Sequence, residues 1–182
     1  MAREIVTNRQ TMIDGALALI EREGKDELSA RALAAELGIS TQPIYREFGD
    51  MDGLKKAAIE RGYQIYGEYV KGEALDQAVG YVKFAAEKSK LFDFLFRGNH
   101  YEYNGLDDMA HKLLGTDIIE RLAGITGLDR EKVYRLHLCI WMAVHGLASM
   151  CADNKTSVTA DEIKDWVKEI TQGMTGFYKI KG

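Results

Sequence analysis

Proline is almost absent from this chain, with one residue, Pro43, among 182. Alternating runs of β-branched residues are scarce too. With little to interrupt helices and little strand periodicity, a sheet-rich fold is excluded and an all-α protein is expected. No apolar stretch approaches the ~18 residues that a membrane span needs. The opening MAREIVTNRQ lacks the apolar core of a secretory signal, so a cytoplasmic setting is expected. Cysteine is represented only by Cys139 and Cys151. On one helix, twelve positions apart, they stand ~18 Å from each other, beyond the ~7 Å reach of a disulfide. Two free thiols agree with a reducing compartment.

Catalytic signatures are missing as well. The sequence contains no Gly-x-Ser-x-Gly elbow, phosphate-binding loop or dinucleotide fingerprint, and spacing singles out no carboxylate pair. An enzyme is therefore not expected, and no cofactor is implied. The chain also lacks an excess of positive charge. Its formal net charge is −4, and residues 1–56 hold eight basic against ten acidic residues. Nucleic-acid binding, if present, must rest on where charges point rather than on their sum.

What is present is helical periodicity. Residues 8–23 place Met12, Ile13, Ala16, Leu17 and Ile20 on one face, and Gly24 stops the run. Ser29 reads as the N-cap of a short helix that buries Leu33 and ends at Gly38 in the left-handed conformation. A third short helix begins after Ser40 and runs to Phe48. With Ser40 as N-cap, Pro43 falls at N3, where a missing N–H breaks no ladder bond, and Ser40 caps through the Gln42 N–H. Two short helices joined by a tight glycine-containing turn, preceded by a longer one, form a helix-turn-helix unit. Domains are expected over 1–50 and 51–182. The second holds helices over 51–71, 74–88, 90–97, 106–123 and 129–152, then one capped by Thr159 that runs to about Tyr178. The total is about nine helices.

The segment LSARALAAELGISTQPIYREFGDMDGL, residues 28–54, resembles the DNA-binding domain of TetR-family transcriptional regulators. Ser29, Leu33-Ala34, Leu37-Gly38-Ile39-Ser40, Tyr45, Phe48 and Leu54 carry the match. WMAVHGLASM, residues 141–150, is similar to the Trp-x-x-x-His-Gly segment of one group of TetR-type C-terminal domains. The resemblance implies a homodimeric repressor whose third helix enters the major groove of a palindromic operator. It also implies a C-terminal helical bundle that pairs the subunits and encloses a small apolar or amphipathic effector. By position, the implied DNA contacts are Arg31, Ser40, Thr41, Gln42, Pro43, Tyr45, Arg46 and Lys55. Arg31 and Arg46 suit guanine edges or phosphates, and Gln42 suits adenine. Tyr45 is expected with its ring packed and its hydroxyl toward a phosphate. Two departures stand out. Met51 occupies a position where the family commonly has a lysine, and Glu47 adds a negative charge beside the reading helix. Modest affinity and a shallow salt slope are therefore expected.

In the C-terminal part, aromatic residues cluster between 84 and 103. The pocket candidates are Phe84, Phe92, Phe96, Tyr101, Met109, Leu113 and Trp141. Residues Val144, Leu147 and Ala148 on one helix and Ile163, Trp166 and Ile170 on the next are the candidates for the subunit interface. His137, Trp141 and His145 recur every four positions and share a helix face. The two histidines stand ~12 Å apart along the axis, so they match no metal-ligand spacing and no metal is expected. The alternative function is a helical small-molecule-binding or interaction protein without DNA binding, to which Met51 and the acidic N-terminal balance point.

Overall fold

The computed structural model describes residues 8–98, 103–112 and 116–181. Among them are ten α-helices, one 3-10 turn and no strand. They run α1 (Arg9–Glu23), the 3-10 turn (Lys25–Glu27), α2 (Ala30–Leu37), α3 (Gln42–Phe48), α4 (Met51–Tyr69), α5 (Ala74–Glu87), α6 (Ser89–Phe96), α7 (Gly105–Lys112), α8 (Thr116–Thr126), α9 (Arg130–Ala152) and α10 (Ala160–Lys181). The all-α class is the one expected. The helix read over 106–123 corresponds to α7 and α8, and residues 113–115 between them lie outside the described residues.

The described residues form two compact units, Met1–Tyr69 with Glu87–His100 and Val70–Ala86 with Tyr101–Gly182. This division by contact does not follow the boundary at residue 50, because α4 and α6 pack with the first three helices. In the first unit α1 lies against α2, α4 and α6, and α3 lies against α4. Its interior includes Ile20, Leu33, Ile44, Leu54, Leu91 and Leu95, all without solvent exposure. A Cβ added to Gly62 would stand 2.9 Å from Leu95, so α6 approaches the bare backbone of α4. Ion pairs hold α6 at the other side. Lys88 meets Glu21 at 2.7 Å, and Lys25 meets Asp93 at 2.8 Å.

The second unit is built on α9. Asp129 caps it by accepting from the Lys132 N–H at 2.9 Å, and Val133 and Leu136 pack with Ile119 and Leu128. Thr159 and Glu162 make a reciprocal capping box at the start of α10: Glu162 Oε2 accepts from the Thr159 N–H at 2.8 Å, and Thr159 Oγ1 accepts from the Glu162 N–H at 3.3 Å. Asp76 of α5 pairs with Lys164 of α10 at 2.6 Å. Trp141 stacks on His145, with ring centroids 4.8 Å apart and planes 13° from parallel. The other edge of the His145 ring places Nδ1 2.8 Å from the Tyr81 hydroxyl.

His137, two turns before His145, is desolvated, and its pKa drops from 6.5 to about 4. As pH falls, the unfolded chain takes up this proton before the folded one does. The stability is therefore complete above about pH 6.5 and lost progressively from there to about 4. Between pH 7 and pH 5 the His137 contribution is on the order of 1–2 kcal/mol. Chemical denaturation at the two pH values is expected to show that difference shrinking in His137→Gln. An unchanged difference would assign the acid sensitivity to carboxylates instead.

Candidate nucleic-acid interface

The helix-turn-helix is assembled from local signals. Ser29 Oγ accepts from the Ala32 N–H at 3.2 Å and starts α2. Gly38 ends it at φ 64°, a left-handed conformation that favours glycine, and the Ile39 N–H returns to the Ala34 carbonyl at 2.9 Å. The chain then turns into α3 within three residues. Here the capping expectation needs correction. The N-cap is Thr41 rather than Ser40, and Pro43 sits at N2 rather than N3. Thr41 has helical backbone angles (φ −73°, ψ −19°), so its side chain makes no capping bond, while its carbonyl accepts from the Ile44 and Tyr45 N–H groups at 3.1 and 3.2 Å. Pro43 still breaks no ladder bond at N2. Pro43→Ala is expected to leave the melting temperature nearly unchanged and to alter sequence preference. A half-site selection identical to wild type would reduce Pro43 to a structural detail.

Ile44 is fully buried, and it is the only buried residue of this seven-residue helix. The opposite face carries Gln42, Tyr45 and Arg46, all exposed, with Thr41 and Pro43 half-buried beside them. Tyr45 is 47% exposed, so about half of the residue is available outside the core. Ser40 in the turn and Arg31 on α2 are exposed as well. Lys55, one turn into α4, is half-buried and 3.6 Å from Asp52, an exposed i,i+3 pair of the kind that contributes little.

The junction from α3 to α4 is tight. Asp50 Oδ1 accepts from the Gly53 N–H at 2.8 Å, closing the first turn of α4. A Cβ on Gly53 would lie 2.1 Å from the Phe48 carbonyl oxygen. Glu47, the acidic departure noted in the sequence, is paired. Arg9 Nη1 lies 3.3 Å from both its carboxylate and its carbonyl oxygen, and the same guanidinium sits 4.6 Å over the Phe48 ring. Sequence reading missed both features. Arg9 and Glu47 are 38 positions apart with no periodic relation, and the Asp50-x-x-Gly53 pattern predicts a cap but not the backbone approach.

The other candidate residues divide between the units. Phe92 and Phe96 belong to the first unit, where Phe96 meets Tyr63 and Tyr66 edge-on at 5.8 and 5.1 Å. Phe84, Met109 and Trp141 belong to the second. Tyr101 and Leu113 lie outside the described residues. The first unit also has an open depression of about 540 Å³, bordered by Leu19, Ala32, Ala35 and the charged Arg22, Glu23, Glu27 and Glu36. The Arg22 guanidinium there holds the Glu36 carboxyl below the usual range. None of the apolar pocket candidates borders it. Of the expected interface residues, Val144, Ala148 and Ile163 are buried inside the chain, and Leu147 and Ile170 are half-buried. The outward stripe of α9 is instead Cys139, Met142, Gly146 and Met150, and that of α10 is Trp166, Gly173 and Phe177.

Residues 12–58 match the family model described as bacterial regulatory proteins, tetR family. The chain is 27% identical over 159 residues to an uncharacterized HTH-type transcriptional regulator of Mycobacterium tuberculosis, covering 80% of this chain and 71% of that protein. It shares its fold with a TetR-like transcriptional regulator from Rhodococcus sp. RHA1, with a TM-score of 0.61 and 20% identity, over 90% of this chain and 92% of the other.

Proposed function

We propose, from the premise that the chain belongs to the TetR family of transcriptional regulators, that it is a repressor which holds a palindromic operator as a homodimer and releases it on binding a small effector. The observation that carries the DNA-binding half is the two-sided character of α3. Ile44 seats the helix on the protein, and Gln42, Tyr45 and Arg46 face away from it. Arg31 and Lys55 extend the polar surface on the neighbouring helices. Side chains of these types read base edges and hold phosphates.

The exposed stripes of α9 and α10 support pairing of two copies. Met142 and Met150 are about half exposed, as is Phe177. A Cβ at Gly146 or Gly173 would meet nothing within 4 Å, which leaves room for a partner helix to approach. The interface we propose uses Met142, Gly146, Met150, Trp166, Gly173 and Phe177 in place of the inward-facing Val144, Ala148 and Ile163. An apolar or amphipathic effector suits the second unit, where Trp141, His145 and Tyr81 set polar groups among rings. Effector release is then a population shift, in which the molecule binds the conformation that does not hold DNA more tightly.

Fluorescence anisotropy against the DNA upstream of the protein's own gene tests this reading. The expected result is specific binding with a shallow salt slope, because few cations face outward at α3. Absence of binding at low salt would favour a helical small-molecule-binding or interaction protein without DNA binding.

A further inference from the structure

The recognition helix is weakly held at its own ends. It has seven residues, no side-chain N-cap and a single buried side chain. A helix this short does not persist on its own propensity. Its pose on the protein must come from what grips it. Ile44 supplies one grip, and Gly49 closes the last turn through its N–H to the Tyr45 carbonyl at 2.9 Å. A further grip comes from Arg9, the first residue of α1.

We infer that Arg9 is a positioning residue for DNA reading, clamping the C-terminal turn of α3 so that Gln42, Tyr45 and Arg46 meet the groove in one orientation. The inference rests on the DNA-binding reading above. Three contacts converge on one guanidinium: the Glu47 carboxylate, the Glu47 carbonyl, which has no acceptor role inside so short a helix end, and the face of Phe48. A cation at this place also complements the negative end of the helix dipole. The same contact pairs the Glu47 carboxylate with a cation at 3.3 Å. Both partners are substantially exposed, with side-chain accessibilities of 52% and 39%. A pair of that kind adds little to global stability. Its consequence is expected in discrimination between sequences rather than in melting temperature.

The test uses the full chain and two labelled duplexes: one selected by the wild type from a randomised library, and one scrambled duplex of equal composition. Dissociation constants across a salt series and melting temperatures are measured for wild type, Arg9→Ala, Arg9→Lys, Glu47→Gln and the Arg9→Ala/Glu47→Gln double variant. Arg9→Ala and Glu47→Gln are each expected to reduce the preference for the selected duplex about fivefold, with the double variant no worse than either, as residues acting as one unit are non-additive. The salt slope is expected to stay at the wild-type value. Arg9→Lys is expected to behave as Arg9→Ala, because an ammonium lacks the planar fork and the ring-stacking face. Equal weakening on both duplexes with a slope reduced by about one, or full rescue by lysine, would make Arg9 a phosphate contact and overturn the inference. So would an unchanged preference in Arg9→Ala. A wild type with no preference at all overturns the DNA-binding reading and this inference together.

Discussion

Ile44→Ala is expected to lower the melting temperature and remove specific DNA binding in a protein that is otherwise still helical. Removing a fully buried isoleucine side chain costs about 2–5 kcal/mol, which in a domain of this size is roughly 5–15 °C. The functional loss follows from the local arrangement. Ile44 is the only buried residue of α3 and has no solvent exposure, so truncation leaves α3 without its seat on the protein. Affinity for a selected duplex is expected to fall by about a hundredfold or more, the equivalent of roughly 3 kcal/mol. The far-ultraviolet dichroism of the remaining helices is expected to persist below the new transition. An Ile44→Ala variant that bound the duplex as the wild type does would show that α3 is not the element that reads.

Gly53→Ala is the second large effect. Alanine is normally the better helix former, and propensity alone predicts a small gain. The close approach reverses the sign. An added Cβ would be 2.1 Å from the Phe48 carbonyl oxygen, and the atom it meets is backbone, which cannot swing aside as a side-chain tip does. Overpacking of this kind costs about 1–3 kcal/mol, occasionally more, or roughly 3–10 °C in melting temperature. The strain falls on the joint that carries the end of α3 into α4. Binding to the selected duplex is therefore expected to weaken about tenfold or more. Thermal unfolding and anisotropy measured side by side check this. A variant as stable as wild type would mean that the Phe48 carbonyl moves away freely and the joint is soft.

Much of the architecture was legible because it is encoded locally. Ser29, Gly38 and Thr159 stop or start helices through chemistry confined to three or four residues, and the structure gives each its bond or its backbone angle. The start of α3 was missed by one residue because Ser40, Thr41 and Gln42 are consecutive polar residues with comparable capping chemistry. What separates them is the Thr41 carbonyl, which accepts the first bonds of the helix from the Ile44 and Tyr45 N–H groups. Which residues of α9 face outward was not legible either, for another reason. α9 is apolar on most of its circumference, so periodicity does not distinguish Val144 and Ala148, which point inward, from Met142 and Met150, which point out. The apolar α6 announced burial but not its partner. Its pairings with α1 and the 3-10 turn join residues 67 and 68 positions apart, Glu21 with Lys88 and Lys25 with Asp93. The Arg9–Glu47 contact is long-range in the same way, 38 positions apart, and no local pattern foreshadows it.

The most direct measurement of the central claim is selection by the purified full chain from a duplex library with a randomised core, sequenced after successive rounds at low salt. A dimeric reader built on two copies of α3 predicts enrichment of an inverted repeat whose half-sites are spaced by about one helical turn or a multiple of it, with the enrichment abolished in Ile44→Ala. Recovery of the input distribution by the wild type, at a salt concentration where non-specific binding is strongest, would contradict it.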